Sequence, residues 1–399
     1  MEADLANTPR SNIDPFSNAY LLDPYPFHEQ LRELGPVIWL ESLRVWAVTR
    51  YTEVRSVLSD WERFCSSGGV GFANFKTEKP WRIPSLLLET DPPDHRRHRE
   101  IVSRVLSPAA LSQLRKRFED EAERLVRSLV DIGSFEAVSM LAEAYPLKVF
   151  GDAVGLPSEG RRHMIAWGNM VFNTMGPPND LYETSFVDAK PVFDWVTASC
   201  RRENLAPDSL GAKIYAGVDA GIVKDSEASL HVGSFISAGV DTTTNALANL
   251  LFCFAQYREQ WRLLRADRTL IKSAIEECLR FEAPFQTFFR TAAVDCDVAG
   301  TPIQRNQKIL ISVGSANRDP RRWTSADSFD IRRKTAGHIG FGVGIHGCVG
   351  QMIARLEMEA LLAALVDKVG TIELTSAPSR LLHNTLRGFD TLPLALCSS

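Results

Sequence analysis

The chain has 399 residues, of which 45% are hydrophobic and 24% charged, so it can bury a large core and enclose a cofactor. Its net charge of −4 gives no reason to expect a nucleic acid or an anionic membrane as a partner. The seven cysteines are scattered, without a CxxC pair, which argues against a zinc site and favours reduced thiols in the cytoplasm.

No linker or low-complexity stretch divides the sequence, so we expect a single domain over residues 1–399. Residues 1–18 are polar and lack the apolar core of a signal peptide or membrane anchor. A long apolar stretch over residues 230–256 contains His231 and Asp241, which favours a buried central helix over a membrane span.

Most of the predicted elements are helices. Asp23-Pro24 opens a short helix that ends at Gly35, and alternating apolar residues over 37–40 and 45–49 predict a hairpin. Further helices are predicted to begin at Asp91 and to cover residues 108–130, 157–174, 190–203, 226–256, 270–281 and 351–369, with strands over 290–298 and 308–313. The expected fold class is mainly α with a small β region.

A glycine-rich turn presents one cysteine, Cys348, immediately before the last predicted helix. Glycines on both sides of it permit positive φ and let a flat macrocycle approach the backbone closely. Unpaired amides at the helix N-terminus should lower the pKa of the thiol and favour a thiolate that can ligate iron. The simpler interpretation of such a cysteine is a small buried hydrophobe.

The string Phe341-x-x-Gly344-x-His346-x-Cys348-x-Gly350 resembles the haem-binding loop of the cytochrome P-450 superfamily. The resemblance implies the cytochrome P-450 fold, with haem b between the long central helix and the helix that follows the cysteine. It implies that Cys348 is the axial ligand of the iron and that Phe341 and Gly342 lie beside the haem. The implied activity is that of a monooxygenase that uses O2 and two electrons.

Within the central helix, Ala238-Gly239-x-Asp241-Thr242 is similar to the oxygen-activation motif of the same superfamily. The resemblance implies that small residues such as Ala238 open a groove for O2, that Thr242 donates a hydrogen bond to the bound oxygen, and that Asp241 relays protons. An isolated pair of this kind is more often a threonine hydroxyl bonded to the preceding helical turn beside a solvated aspartate.

Two further sets of charged residues match positions in that superfamily. Glu277 and Arg280 form an ExxR pair with an expected structural role in haem incorporation, and either Arg332 or Arg333 is expected to complete it. Haem propionates need cations, and the resemblance assigns this role to His95, Arg99, Arg290 and His346.

Segments over residues 79–85, 173–179, 286–290 and 384–388 resemble a bacterial subfamily that oxidises para-substituted benzoates. The resemblance implies that the substrate carboxylate is held by Arg82, Ser85, Ser234 and Ser237. The residues matched to the apolar pocket wall are Leu88, Phe172, Met175, Ala238, Phe285, Phe288 and Leu386. The expected reaction is O-demethylation of 4-methoxybenzoate or oxidation of a similar para substituent.

Three positions depart from the pattern of that subfamily: Gly233 replaces a basic residue, Met175 a phenylalanine, and Phe285 a smaller aliphatic residue. A larger Phe285 and a flexible Met175 would reshape the cavity near the para substituent. The exact size of the substrate therefore stays open.

The expected redox partner is a [2Fe-2S] ferredoxin served by a flavin-dependent reductase, since the sequence has no G-x-G-x-x-G after a strand and no flavin domain. A cationic surface for docking of the redox partner is expected from five arginines: Arg96, Arg97, Arg104, Arg321 and Arg322. Alternative functions are the same fold acting on a terpenoid or fatty acid, a peroxide-driven peroxygenase, and a haem-based gas sensor or carrier.

Overall fold

Helices form most of residues 8–398, the part of the chain that this computed structural model describes. The α-helices are α1 (Asn18–Leu22), α2 (Tyr25–Leu34), α3 (Tyr51–Ser59), α4 (Asp94–Val105), α5 (Pro108–Ile132), α6 (Ala144–Val154), α7 (His163–Asn173), α8 (Asp180–Thr184), α9 (Ala189–Ser199), α10 (Leu210–Asp219), α11 (Asp225–Ala238), α12 (Asp241–Gln256), α13 (Arg258–Ala266), α14 (Ile271–Phe281), α15 (Val313–Asn317) and α16 (Gln351–Lys368). The expected class, mainly α with a small β region, is confirmed.

The strands are short. They are β1 (Arg10–Ser11), β2 (Ile38–Leu40), β3 (Val45–Val48), β4 (Phe64–Cys65), β5 (Ser134–Glu136), β6 (Thr287–Ala292), β7 (Cys296–Val298), β8 (Thr301–Ile303), β9 (Lys308–Ser312), β10 (Val369–Leu374), β11 (Ser379–Arg380), β12 (Phe389–Thr391) and β13 (Pro393–Ser398). The largest sheet has the order β1-β2-β3-β9-β6-β4 and contains the predicted hairpin β2–β3. In this sheet β6 pairs antiparallel with β9, which places Arg290 opposite Ile309.

Helix boundaries follow local chemistry. The hydroxyl of Ser107 accepts a hydrogen bond from the amide of Ala110 and caps α5, so this helix begins at the predicted place. Helix α7 begins at His163, not at residue 157, because Gly160 has a φ of +74° that no right-handed helix contains. Helix α9 ends at Ser199, earlier than predicted, because the backbone becomes extended at Arg201.

The predicted central helix over residues 226–256 is two helices, α11 and α12, interrupted at Gly239 and Val240. A Cβ at Gly239 would lie 2.0 Å from the ring of Phe150, so only glycine allows α6 to pack this closely. The prediction of one continuous helix is wrong at this point. Because the interruption falls inside the predicted oxygen-activation motif, it changes the backbone next to Ala238.

The core forms around α12, where nearly every side chain is buried, as expected for a helix enclosed by others on all sides. Its two asparagines are satisfied: the Asn245 amide donates to the Asp241 carbonyl at 2.8 Å, and that of Asn249 donates to the Arg387 carbonyl at 2.8 Å. Helix α16 packs against α5 and α14 beside it.

None of the helices within residues 8–398 has the length and hydropathy that a membrane-spanning segment needs. Residues 1–7 of the polar N-terminal segment lie outside the described part of the chain. The single domain over residues 1–399 stays a prediction.

Candidate active site

A cavity of about 1020 Å³ is enclosed by α11, α12, the start of α16 and the loop over residues 79–88. Its wall includes Cys348 on the loop before α16, and Ala238 and Thr242 at the interruption between α11 and α12. Residues far apart in the sequence therefore surround one space, as the central-helix and cysteine-loop predictions required. A volume of this size can hold a macrocycle together with a small organic molecule.

The cysteine loop is held by its own backbone. The Cys348 amide donates to the Phe341 carbonyl at 2.8 Å, and Gly342 adopts a φ of +69° beside the cavity. Burial raises the pKa of the Cys348 thiol, and the backbone amide of Gly350 and the charge of Arg99 oppose this effect only in part. The expectation of a lowered thiol pKa is therefore wrong for the protein alone, because desolvation outweighs the helix N-terminus.

The four predicted propionate-binding cations cluster around Asp91. The rings of His95 and His346 are 4.3 Å apart, and His346 Nε2 lies 3.7 Å from the Asp91 carboxylate. Arg99, Arg290 and His346 line the cavity; His95 is buried just behind its wall. Both His95 Nε2 and His346 Nε2 are buried without a hydrogen-bond partner within residues 8–398. Two unpartnered ring nitrogens, together with the guanidinium groups of Arg99 and Arg290, fit a bound anionic group.

Burial is the largest influence on the pKa values of these groups. Burial and the neighbouring charges of His346 and Arg99 lower the pKa of His95 to about 4. Burial lowers the pKa of Arg290 to about 10. Burial would raise the pKa of Asp91, but His346 and the amides of Ser66 and Ser67 outweigh it and hold the pKa well below its usual value.

Glu277 and Arg280 form a fully buried pair, with Nε–Oε2 at 2.7 Å and Nη2–Oε1 at 2.9 Å. Arg333 completes the network through Nε, 3.0 Å from Glu277 Oε1, whereas Arg332 is exposed. Arg280 also donates to the backbone carbonyl of Asn317 at 2.8 Å. The open choice between the two arginines is thus decided in favour of Arg333.

Asp241 and Thr242 occupy different surroundings. Thr242 lines the cavity, and its hydroxyl donates to the Ala238 carbonyl at 2.9 Å, so it faces the cavity as an acceptor instead of the predicted donor. Asp241 is buried behind the wall, where a Cβ on Gly168 of α7 would lie 2.2 Å from Oδ2. Burial and the charge of Glu143 raise the pKa of Asp241 well above its usual value, which favours the protonated form of the carboxyl group.

Arg82 lines the cavity as predicted, but its guanidinium is paired. It binds Glu89 end-on through both terminal nitrogens, with Nη1–Oε2 at 2.8 Å and Nη2–Oε1 at 2.9 Å. Nη1 also donates to the Ile83 carbonyl at 3.1 Å. The Nε hydrogen and one Nη2 hydrogen make no bond within residues 8–398 and can still bind a ligand.

The three predicted serines differ in what they can offer. The Ser85 oxygen accepts the amides of Leu87 and Leu88 at 3.3 and 3.2 Å, which leaves its own hydrogen free to donate. Ser234 donates to the Leu230 carbonyl at 3.0 Å, and Ser237 to the Ser234 carbonyl at 3.2 Å. Ser85 is therefore the serine best placed to donate to an anion.

The apolar wall is largely aromatic. Phe285 and Phe288 stack with ring centroids 3.9 Å apart, and Phe172 meets Phe285 edge-on at 5.4 Å. Leu88 and Met175 line the same cavity. The predicted wall residue Leu386 is not among the residues that line the cavity; it is buried in the same apolar cluster as Phe172 and Met175, and its backbone is bridged to Phe285.

Comparison with known proteins agrees with this architecture. The cytochrome P450 family model matches residues 209–371. The sequence is 49% identical to cytochrome p450 CYP199A2 of Rhodopseudomonas palustris, over 98% of this chain and 95% of that protein. This chain belongs to the cytochrome P450 family. It is also 30% identical to the cytochrome P450 monooxygenase PikC of Streptomyces venezuelae, over 98% of this chain and 95% of that protein.

Solved cytochrome P450 structures share the fold. That of cytochrome P450 CYP109Q5 from Chondromyces apiculatus has a TM-score of 0.82 and 30% sequence identity, covering 97% of this chain and 98% of that chain. The protein is thus a cytochrome P450 monooxygenase that uses O2 and a redox partner, and its cofactor is haem b with the Cys348 thiolate as axial ligand. The buried, unpaired histidine nitrogens near Asp91 fit the propionates of that haem.

The sequence did not indicate Glu89, the partner of Arg82. No local pattern marks it, because an acid seven residues after an arginine in a loop has no fixed spatial relation to it. Most of the predicted docking arginines of this cytochrome P450 also have intramolecular partners: Arg97 binds Glu227 at 2.6 Å, and Arg321 binds Glu33 at 2.9 Å. Arg96 makes no ion pair within residues 8–398.

Proposed function

We propose that this cytochrome P450 oxidises para-substituted benzoic acids, with O-demethylation of 4-methoxybenzoate as the representative reaction. The observation that carries the proposal is a polar group beside the aromatic wall of the cavity: Arg82 and Ser85 both line the cavity, and both have hydrogens that no protein acceptor within residues 8–398 takes. A buried carboxylate is stable only where charge-assisted donors of this kind meet it.

The aromatic wall supports the same substrate class. Phe172, Phe285 and Phe288 present ring faces and edges to the cavity, and a substrate ring can pack against them in the offset or edge-on arrangement that aromatic pairs prefer. With the carboxylate at Arg82 and Ser85, only the opposite, para end of such a ring is directed away from the polar group.

Haem supplies oxygen activation and the insertion of one oxygen atom into the substrate. In the proposed mechanism, Thr242 accepts a hydrogen bond at the cavity surface because its own hydrogen is given to Ala238. Burial raises the pKa of Asp241 and favours its protonated form, and this carboxyl group relays the proton beside Thr242. His95, Arg99, Arg290 and His346 would hold the propionates.

The proposed electron donor is a [2Fe-2S] ferredoxin served by a flavin-dependent reductase, in the cytoplasm. None of the seven cysteines forms a disulfide, which suits a reducing compartment. Within the five-arginine docking face, Arg96 keeps an unpaired charge, while Arg322 stacks on Trp323 with its guanidinium 4.3 Å from the ring centroid.

One observation favours the alternative of a neutral substrate such as a terpenoid. Without a partner in the protein, Arg82 would be left as an unpaired buried cation by an uncharged ligand. Glu89 provides that partner and neutralises the charge of Arg82. Occupancy by a neutral molecule is therefore not penalised by Arg82, and the choice between the two substrate classes needs a direct measurement.

The test is a spectral titration of the haem-loaded enzyme with 4-methoxybenzoate, 4-ethylbenzoate and the corresponding amides. We expect the acids to shift the Soret band toward the high-spin position and to bind at least about tenfold more tightly than the amides. Amides that bind as tightly as the acids would refute the aryl-acid proposal in favour of a neutral substrate.

Matched serine variants locate the carboxylate. Ser85→Ala should weaken binding of 4-methoxybenzoate by about fivefold to tenfold, because it removes a free hydroxyl donor. Ser234→Ala should weaken it less, because that hydroxyl hydrogen is given to the Leu230 carbonyl. The reverse order would place the carboxylate at α11 instead of at the loop over residues 79–88.

A further inference from the structure

The cavity continues beyond Arg82 into a space between α9 and α11, which we call the tail lobe. Its walls are Phe193 and Val196 from α9, Cys200 directly after that helix, and Leu230 and Gly233 from α11. A Cβ built on Gly233 would have one neighbour within 4 Å, Cys200 Sγ at 3.6 Å. The lobe is therefore open at the position where any larger side chain on α11 would project.

The tail lobe is apolar inside and polar at its outer end. Thr197, which is exposed, borders the cavity on α9. Lys79 also lines the cavity and is exposed, and it makes no ion pair within residues 8–398. Trp81 brings the loop that carries Lys79 against α9, with its ring 6.1 Å from that of Phe193. An unpaired ammonium group therefore stands on the loop that packs on this helix.

The two cations of the loop differ in what they offer a ligand. Arg82 shares its charge with the buried carboxylate of Glu89, so an anion bound there is also repelled by Glu89. Lys79 makes no ion pair within residues 8–398, so its charge is not shared with a carboxylate of the protein. A carboxylate on a flexible arm would therefore interact more favourably at the outer end of the tail lobe, with the arm buried against Phe193, Val196 and Leu230.

We propose that the tail lobe binds the side arm of an aryl acid whose carboxylate is separated from the ring by two or more carbon atoms, and that Lys79 pairs with that carboxylate. This inference rests on the proposed function, since it keeps a para-substituted ring in the aromatic part of the cavity. Each methylene buried in the lobe should strengthen binding about fourfold.

The experiment is a spectral titration of the haem-loaded enzyme with 4-methoxybenzoate, 4-methoxyphenylacetate, 3-(4-methoxyphenyl)propanoate and 4-(4-methoxyphenyl)butanoate. In the wild type, we expect the dissociation constant to fall from the benzoate to the propanoate. The variant that fills the lobe is Gly233→Leu. Its matched control is Gly233→Ala, whose added methyl group makes only an ordinary contact with Cys200.

The readout is the ratio of the dissociation constants of the propanoate and the benzoate. We expect Gly233→Leu to raise this ratio at least about tenfold relative to Gly233→Ala. Thr197→Phe, at an exposed position on the facing helix, should also raise the ratio. This variant replaces Gly233→Leu in the experiment if Gly233→Leu does not fold. Lys79→Met should weaken binding of the propanoate more than that of its amide.

Different failures are distinguishable. If the benzoate binds but the propanoate does not, or if both lobe-filling variants leave the ratio unchanged, the tail lobe is not a binding site and the proposed function stands. If Lys79→Met weakens acid and amide equally, the assignment of Lys79 is overturned. If none of the four acids shifts the Soret band, the proposed function itself is refuted and this inference with it.

Discussion

The carboxylate of Glu89 binds the guanidinium of Arg82 end-on in the cavity wall, through two hydrogen bonds of 2.8 and 2.9 Å from Nη1 and Nη2. The Glu89 side chain is 2% exposed and that of Arg82 15%, and the amide of Ser85 donates to Glu89 Oε2 at 2.7 Å. A pair this deeply buried is stable because each charge compensates the other. Glu89 therefore determines how much positive charge Arg82 presents to a ligand.

Replacement of Glu89 by glutamine should expose that charge. Without ligand, we expect Glu89→Gln to lower the free energy of unfolding by about 1–3 kcal/mol, because Arg82 loses its ionic partner. With 4-methoxybenzoate, the variant should gain more thermal stability than the wild type does. The measurement is the Tm of both proteins with and without the acid, and the amide is the control ligand. An equal gain in the two proteins would show that the acid does not bind at Arg82.

Arg333 and Arg332 form a natural matched pair for the buried network. Arg333→Met removes one donor to Glu277 Oε1 and should destabilise the protein by about 1–3 kcal/mol, with a lower haem-to-protein ratio after purification. Arg332→Met, at an exposed neighbour, should change stability by less than about 0.5 kcal/mol. Urea unfolding and the Soret-to-280 nm absorbance ratio measure both effects. Similar losses in the two variants would contradict the role of Arg333.

Asp241→Asn should separate proton relay from stability. We expect product formation coupled to NADH oxidation to slow roughly a hundredfold, because the side-chain amide of asparagine has no acidic proton to relay. The folded protein raises the pKa of Asp241, so the wild type loses stability as the pH rises above the unfolded pKa of the carboxyl group. Asparagine carries no such penalty, and the stability of the variant relative to wild type should increase from pH 5 to pH 8.

The outcome for Asp241 has two independent checks. Unchanged turnover would refute the relay. A stability difference that does not change between pH 5 and pH 8, measured by urea unfolding, would refute the protonated state of the buried carboxyl group. Thr242→Ser retains the hydroxyl that bonds to Ala238 and is the control for the position beside it.

Phe285 should limit the size of the para substituent. Phe285→Val removes a ring that stacks on Phe288 at 3.9 Å and should strengthen binding of 4-propoxybenzoate relative to 4-methoxybenzoate by about tenfold. The cost to stability should be about 2 kcal/mol. Leu386→Val, bridged through its backbone to Phe285 and not lining the cavity, is the control: it should cost about 1 kcal/mol without a change in substrate preference. A shift in preference in both variants would mean that repacking, not direct contact, sets it.

The features that follow most directly from the sequence are those that involve residues close together along the chain. The cysteine loop lies at the start of α16 as predicted, and α5 begins at its predicted proline, because turns, caps and short motifs involve neighbours along the chain. Ser85 and Phe288 are about two hundred positions apart in the sequence and line the same cavity. The family resemblance, and no local pattern, predicted that they would.

Other features depend on which distant side chains meet. Only glycine fits at position 239 because the ring of Phe150 packs against it, and the raised thiol pKa of Cys348 follows from desolvation by surroundings that no local pattern records. Leu386 matched a pocket position by its neighbours in sequence, yet it is not among the residues that line the cavity.

By itself, the sequence determined the family, the iron ligand and the helical class, because these depend on a few contiguous motifs whose geometry is set by the backbone. Only the tertiary structure decided that Arg333 and not Arg332 completes the pair of Glu277 and Arg280, and that Glu89 neutralises Arg82. Salt bridges and hydrogen bonds act over about 3 Å, and a chain pattern cannot specify distances of that scale between segments that only folding brings together.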